Sequence, residues 1–243
     1  MRYLITFSYD GSKYNGYQKQ LDVNTIQGEL EKALTTLNDN NFVSVVASGR
    51  TDAGVHAINQ RAHFDLNINI TVDKLKMALN SLLPKDIYVK KVEEVDPEFH
   101  ARFNVKTKEY IYKINLGEYN PIEKDYIYQY NKELDIDSMN KAIKLFEGLH
   151  NFKSLVAADD VRDNYDREIL STSIEKDNDI LTITFIGTGF LRYMVRNMVG
   201  LLIEIGEGKR TPSDVIPILE KQDRKASGKT APSCGLYLKN VNY

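Results

Sequence analysis

Three stretches of the chain gather residue types that do chemistry. Gly49-Arg50-Thr51-Asp52-Ala53-Gly54-Val55-His56-Ala57 packs one arginine, one aspartate and one histidine into a short segment directly after an apolar, β-branched run. Polar groups at the C-terminal end of a strand project into a crevice rather than into the core, which suits a working loop. The plainer alternative is a turn in which Asp52 bonds its own backbone and Gly54 supplies a positive φ. In the second stretch, Phe99 to Tyr112, His100, Arg102, Lys106 and Lys108 interleave with Phe99, Phe103, Tyr110 and Tyr112, and Glu109 is the one acid from His100 onward. Cations hold phosphates and aromatic faces stack bases. A strand of period two puts Lys106, Lys108, Tyr110 and Tyr112 on one face; a solvated lysine face on an edge strand is the alternative. The third stretch, Phe190 to Ile205, is apolar nearly all round as a helix and carries Arg192 and Arg196 one turn apart. An arginine on a buried helix requires a carboxylate or an anionic ligand, or else forms a plain interior salt bridge.

Other chemistries find little footing. His56, His63, His100 and His150 are too scattered for a metal site, and Gly206-Glu207-Gly208-Lys209 lacks the preceding strand and the Gly-Lys-Ser/Thr ending of a phosphate loop. The single cysteine, Cys234, excludes an internal disulfide and fits a reducing compartment. A net charge of −2 rules out a globally cationic nucleic-acid coat but permits a local basic groove. With no leader-like N-terminus and no apolar run of membrane length, the expected setting is the cytoplasm, with no membrane partner.

Positioning those stretches is the task of the elements around them. Arg2 to Tyr9 alternates as a strand; Asn24 with Gln27 resembles a capping box ahead of a helix bearing Ile26, Leu30, Ala33, Leu34 and Leu37. Strands follow at 42–47 and 60–66, a helix at 71–82 and a strand at 87–95, giving the order βαββαβ. The same grammar returns with a strand at 105–116, a helix at 137–146, strands at 167–176 and 180–187, a helix at 190–205 and a closing strand from Leu236 to Val241. Thr211 with Pro212 opens a last helix, which Pro217 kinks or shortens. The polar stretch from Val156 to Arg167 reads as a mobile loop. The expected fold is α+β: two ferredoxin-like halves, 1–103 with the Asp52 loop and 104–243 with RNA-contacting elements, forming one mainly antiparallel sheet with helices mostly on one face.

GRTDAGVHA at 49–57, YNGYQKQ at 14–20, FHARF at 99–103 with EYIY at 109–112, FLRYMVRNMVG at 190–200 and APSCGLYL at 231–238 resemble, in order and across almost the whole chain, the signature blocks of the tRNA pseudouridine synthase A family. The resemblance implies an isomerase that converts uridine to pseudouridine at positions 38, 39 and 40 of the tRNA anticodon arm, as a homodimer, with no cofactor and no metal. It places the family's catalytic aspartate on Asp52, its base-stacking tyrosine on Tyr110, its aspartate-pairing arginine on Arg196, the arginine preceding the catalytic aspartate on Arg50, and the apolar residue that closes over the base on Leu238. The chain departs from the family where Tyr17 stands in place of tryptophan and Asn151 in place of aspartate, which puts the choice of uridine in question.

That isomerisation breaks the N1–ribose bond, turns the uracil and joins C5 to the same ribose carbon, with no net redox change and no water consumed. It wants an ionised carboxylate, a dry pocket and a flat group to hold the ring. Asp52 would serve as nucleophile at the ribose or the uracil, or as base at the ribose; the residues leave all three open. Arg196 would keep the carboxylate charged, Arg50 would contact phosphate or prop the displaced base open, and Tyr110 would stack on the uracil and collect the C5 proton. Lys106, Lys108 and the Lys209-Arg210 and Arg224-Lys225 pairs are candidates for the RNA backbone. Two rivals share part of this inventory: a nucleoside glycosidase, which needs a second carboxyl group near Asp52, and a non-catalytic RNA-binding sheet.

Overall fold

The computed structural model describes residues 1–243, which divide into two compact units: Met1–Lys106 with Tyr237–Tyr243, and Thr107–Leu236. In the first, β1 (Arg2–Tyr9), α1 (Ile26–Leu37), β2 (Val46–Ala47), β3 (His56–Asp65), α2 (Val72–Leu82) and β4 (Ile87–Glu94) follow one another as βαββαβ. The strands lie in the order β4-β1-β3-β2, antiparallel throughout, which is the ferredoxin-like arrangement. Tyr3, Ile5, Phe7 and Tyr9 alternate along β1 and are all buried, and α1 and α2 pack on each other, so both helices cover one side of this sheet.

Three sequence expectations shift in this unit. The N-cap of α1 is Thr25, whose hydroxyl accepts from Gly28 N, while Gln27 instead accepts from Lys19 N; Asn24 does not cap. The strand expected over 42–47 is paired only at Val46–Ala47, because Phe42 points into solvent and only Val43 and Val45 find the core. The strand expected from residue 60 begins at His56, so the end of the Asp52 segment is itself part of β3.

In the second unit, β5 (Thr107–Asn115), β6 (Tyr128–Gln129), α3 (Ile136–Lys144), β7 (Gly148–Asn151), β8 (Asp166–Asp177), β9 (Ile180–Gly187), α4 (Met194–Gly206) and α5 (Val215–Lys221) form an antiparallel path β5-β9-β8-β7, with β6 parallel to β5. The helices α3 and α4 pack together, and α4 is buried over nearly its whole surface. Thr211 caps a 3-10 turn with Asp214 as reciprocal partner, as its sequence suggests, and Pro217 falls in the first turn of α5, where a missing N–H costs nothing.

The helix expected over 190–205 starts four residues later. Tyr193 adopts φ +65°, so the chain turns sharply there and Arg192 stands outside the helix, half exposed and paired with Asp159. Strand β10 (Leu236–Asn242) runs parallel to β3, with Tyr237 opposite His56 and Leu238 opposite Ala57. No helix is long and apolar enough to cross a membrane.

Candidate active site

Asp52 sits on the connection between β2 and β3, and the backbone on both sides of it is fixed. Tyr17 N donates to Thr51 O at 3.1 Å, Gly54 N to Tyr14 O at 3.3 Å, and Val55 N closes a turn on Asp52 O at 3.2 Å. The block around residues 14–20 is therefore a cradle for the Asp52 loop. Gly16 is indispensable to it: its φ is +90°, and a Cβ there would lie 2.9 Å from Thr51 O and 3.2 Å from Ala53 N. Gly11 makes a second close approach, where a Cβ would fall on the Val55 carbonyl. Gly54, at φ +75°, supplies the positive φ of the turn reading.

Buried side chains brace this loop from below. Ser48 Oγ lies 2.6 Å from Gln60 Oε1, Gln60 Nε2 donates to Gly49 O at 3.1 Å, and Tyr9 Oη shares a 2.8 Å hydrogen bond with Thr51 Oγ1. Burial pushes the Tyr9 phenol up to about 12, so it is a neutral hydrogen-bonding strut and no acid. His56 is almost fully buried; Gly11 N donates to its Nδ1 at 3.1 Å, Asp10 Oδ1 lies 3.3 Å from the same nitrogen, and its ring stacks on Tyr237 at 4.7 Å. His56 thus ties the loop's exit to β10, the strand that carries Leu238. Asp52 itself is half-buried and Arg50 exposed, whereas Leu238 is fully buried.

The second unit holds the other two candidates. Tyr110 is buried in β5, edge-on to Phe190 with ring centres 5.0 Å apart. Arg196, on α4, donates from Nε to Ala231 O at 2.8 Å and accepts at its own carbonyl from Ala231 N at 3.0 Å; its guanidinium lies 5.0 Å from the Tyr193 ring centre. The strap 228–232 that anchors it is pressed against α4 at Gly200, where a Cβ would meet the Lys229 carbonyl. Fully buried Asn197 clamps the strap further: its Oδ1 accepts from Thr230 Oγ1 at 2.7 Å and from Arg224 Nη2 at 3.0 Å, while its Nδ2 donates to Leu155 O at 2.8 Å. Arg224 also donates to Gly228 O and to the hydroxyls of Ser227 and Thr230. Tyr112 Oη donates to Pro232 O at 2.7 Å, so the strap lies on β5 as well.

Some of the expected RNA-contacting cations are committed elsewhere. Arg224 is consumed by that internal network, Lys209 pairs with Glu207 at 2.6 Å and Arg210 with Glu204 at 2.6 Å. Tyr112 is fully buried, so the shared face of Lys106, Lys108, Tyr110 and Tyr112 sinks into the core at its far end. Lys106 is exposed and Lys108 half-buried. The sequence reading passed over Gln60 and Asn197 as anchors and gave Arg224 to the RNA backbone rather than to the interior. A polar residue inside an alternating apolar strand, or on a helix apolar all round, is the signal that would have found the first two.

The sequence profile of the family described as tRNA pseudouridine synthase matches residues 5–104 and 142–243. The chain is 44% identical over 243 residues to tRNA pseudouridine synthase A of Geobacillus sp. (strain WCH70), covering all of this chain and 98% of that one. It is 42% identical over 242 residues to the protein of the same name from Anoxybacillus flavithermus (strain DSM 21510 / WK1), again over all of this chain and 98% of that one. Among solved structures, a chain titled as from the crystal structure of a Cbf5-Nop10-Gar1 complex overlaps 82% of this chain and 54% of its own, at 9% identity and a TM-score of 0.35, too slight a likeness to bear on function.

Proposed function

We infer that this chain, which belongs to the tRNA pseudouridine synthase family and is an isomerase acting on uridine in tRNA, modifies uridines 38, 39 and 40 of the anticodon arm through Asp52, as a cytoplasmic homodimer. One observation carries the residue assignment: the backbone around Asp52 is fixed by a cradle of hydrogen bonds and two glycines, while its side chain stays half-open at the end of a strand. A plain turn needs no such bracing.

In this reading the Asp52 carboxylate engages the extruded uridine, at ribose C1′ or uracil C6 as nucleophile or at the ribose as base. The N1–C1′ bond breaks, C5 bonds to C1′, the C5 proton leaves and N1 takes a proton, so atoms and charge balance without any cofactor. The task of Arg196 is to keep a carboxylate ionised while water is excluded, and its fixed Nε suits it to that. Tyr110 stacks on the uracil and receives the C5 proton, Leu238 supplies an apolar wall, and Arg50, exposed beside Asp52, takes a phosphate or holds the vacated stack open.

The test uses tRNA tritiated at uracil C5. The protein releases tritium to water and leaves the RNA intact, whereas a glycosidase leaves an abasic site and a mere binder does neither. Asp52→Asn binds tRNA as before and loses release by on the order of a thousandfold or more; retained turnover removes Asp52 from its role. Replacing uridines 38 to 40 by cytidine abolishes release if the position is right, and sedimentation reads the dimer.

A further inference from the structure

The FHARF block has no part in the chemistry above, yet a dense set of hydrogen bonds and ring contacts holds it. Three rings step outward from the sheet. His63 of β3 is buried; His100 meets it edge-on with centres 4.9 Å apart; Phe103 stacks on His100 at 4.2 Å with planes 22° apart and is 77% exposed. The turn that carries them is over-determined. Ala101 N donates to His63 Nδ1 at 3.1 Å, Arg102 N and Phe103 N both donate to His100 Nδ1, His100 N donates to Asn104 Oδ1 at 2.6 Å, and Tyr243 Oη donates to Ala101 O at 2.8 Å.

None of this buries Phe103. Its inner face is used by the stack on His100, and its outer face, held in one orientation by that stack and by the turn, is left open to something outside the chain. The charges beside it say what. From Phe99 to Lys108 the segment carries Arg102, Lys106 and Lys108 and no acid, and Arg102 and Lys106 are both exposed. An exposed, immobilised ring between cations is the arrangement that takes a nucleobase on its face and phosphates on its flanks.

We propose that Phe103, presented by the His63–His100 ladder and flanked by Arg102 and Lys106, is a base-stacking contact for an unpaired nucleotide of the tRNA, separate from the uridine that reacts. His63 lies seven residues along β3 from His56, where the Asp52 loop enters, and at about 3.4 Å per residue the ladder stands roughly 24 Å along the strand from that loop. One nucleotide cannot span that distance, so the contact contributes affinity and register while leaving the reacting ring alone. The proposal rests on the tRNA reading, and the two are separable: tritium release by the unaltered protein tests the reading, whereas Phe103 variants test the stack.

The chain contains no tryptophan, so Phe103→Trp introduces a sole indole at the proposed contact. Its emission is quenched on titration with tRNA, with a midpoint equal to the Kd from filter binding. Phe103→Ala raises that Kd about tenfold, with an unchanged Tm and unchanged kcat at saturating tRNA. Indole emission indifferent to saturating tRNA, or an unaltered Kd for Phe103→Ala, overturns the proposal. An indole signal that depends on protein concentration without RNA, with Phe103→Ala sedimenting as a smaller species, overturns it in favour of a second copy of the chain as the occupant.

Discussion

The two units hold their key residues by opposite means. In the first, Asp52 rides on a loop whose shape is set by backbone hydrogen bonds and by glycines at points of close approach; side chains only brace it from beneath. In the second, Arg196 projects from a buried helix and is aimed by side chains: Asn197, Arg224 and Thr230 clamp the strap whose Ala231 carbonyl receives its Nε. On the proposed reading the carboxylate meets an incoming nucleotide, so it sits on a half-open loop held chiefly by backbone. On the same reading the cation has to hold one position, which a rigid helix and a polar network provide.

Substitutions should sort along that division. After Asp52→Asn, the largest effect is expected from Arg196→Met, which on the proposed reading lowers kcat by about a hundredfold and moves the acid limb of the pH–rate profile upward, since a carboxylate deprived of a cation ionises at higher pH. Arg224→Met follows it in kind but more mildly, because it loosens the strap rather than removing the charge; an unmoved acid limb would leave Arg224 a purely structural residue. Gly16→Ala acts on the other unit through the backbone: the positive φ and the 2.9 Å approach to Thr51 O destabilise the protein by about 1–3 kcal/mol. Its kcat should fall further than its stability accounts for, read by turnover well below the lowered Tm.

The remaining expectations are smaller and confined to the first unit. Desolvation, the nearby Arg2 charge and His100 depress the His63 imidazole to about 4, against 6.5 when unperturbed. Between those values the unfolded chain binds a proton that the folded one refuses, so the contribution of His63 is full above pH 6.5 and drains away as pH falls towards 4. Melting curves should show the Tm falling across that window by roughly 5 °C more than in His63→Asn, whose side-chain oxygen still accepts from Ala101 N. Tyr9→Phe is the mildest: it removes the hydrogen bond to Thr51 and costs about 1 kcal/mol, seen as a small Tm shift with kcat nearly intact.

Where the relevant forces act between near neighbours, the residues announced much of the structure, although the cap of α1 fell on Thr25 rather than Asn24. Alternation gave β1, the helical repeat gave α1 and α2, and Thr211 with Pro212 marked the start of the final helical region. Asp52 was placed after a strand because an apolar run ends just before it, and Arg196 on a buried helix because the apolar residues surround it. The same reasoning put Arg192 on that helix, and failed: a left-handed Tyr193 turns the chain, and no local pattern encodes it.

The sequence by itself therefore determined which residue types stand at strand ends and on buried helix faces, and through its ordered motifs the family to which the chain belongs. Only the tertiary structure decided that β10 runs parallel to β3, that Gly16 lies against Thr51, that Arg224 is spent inside the fold, and that His63, His100 and Phe103 form a ladder. Each of those facts joins groups distant along the chain or turns on which of several partners a polar group takes. Such choices follow from the packing of the whole core, where an unpartnered polar group is costly, and are invisible to any window of neighbouring residues.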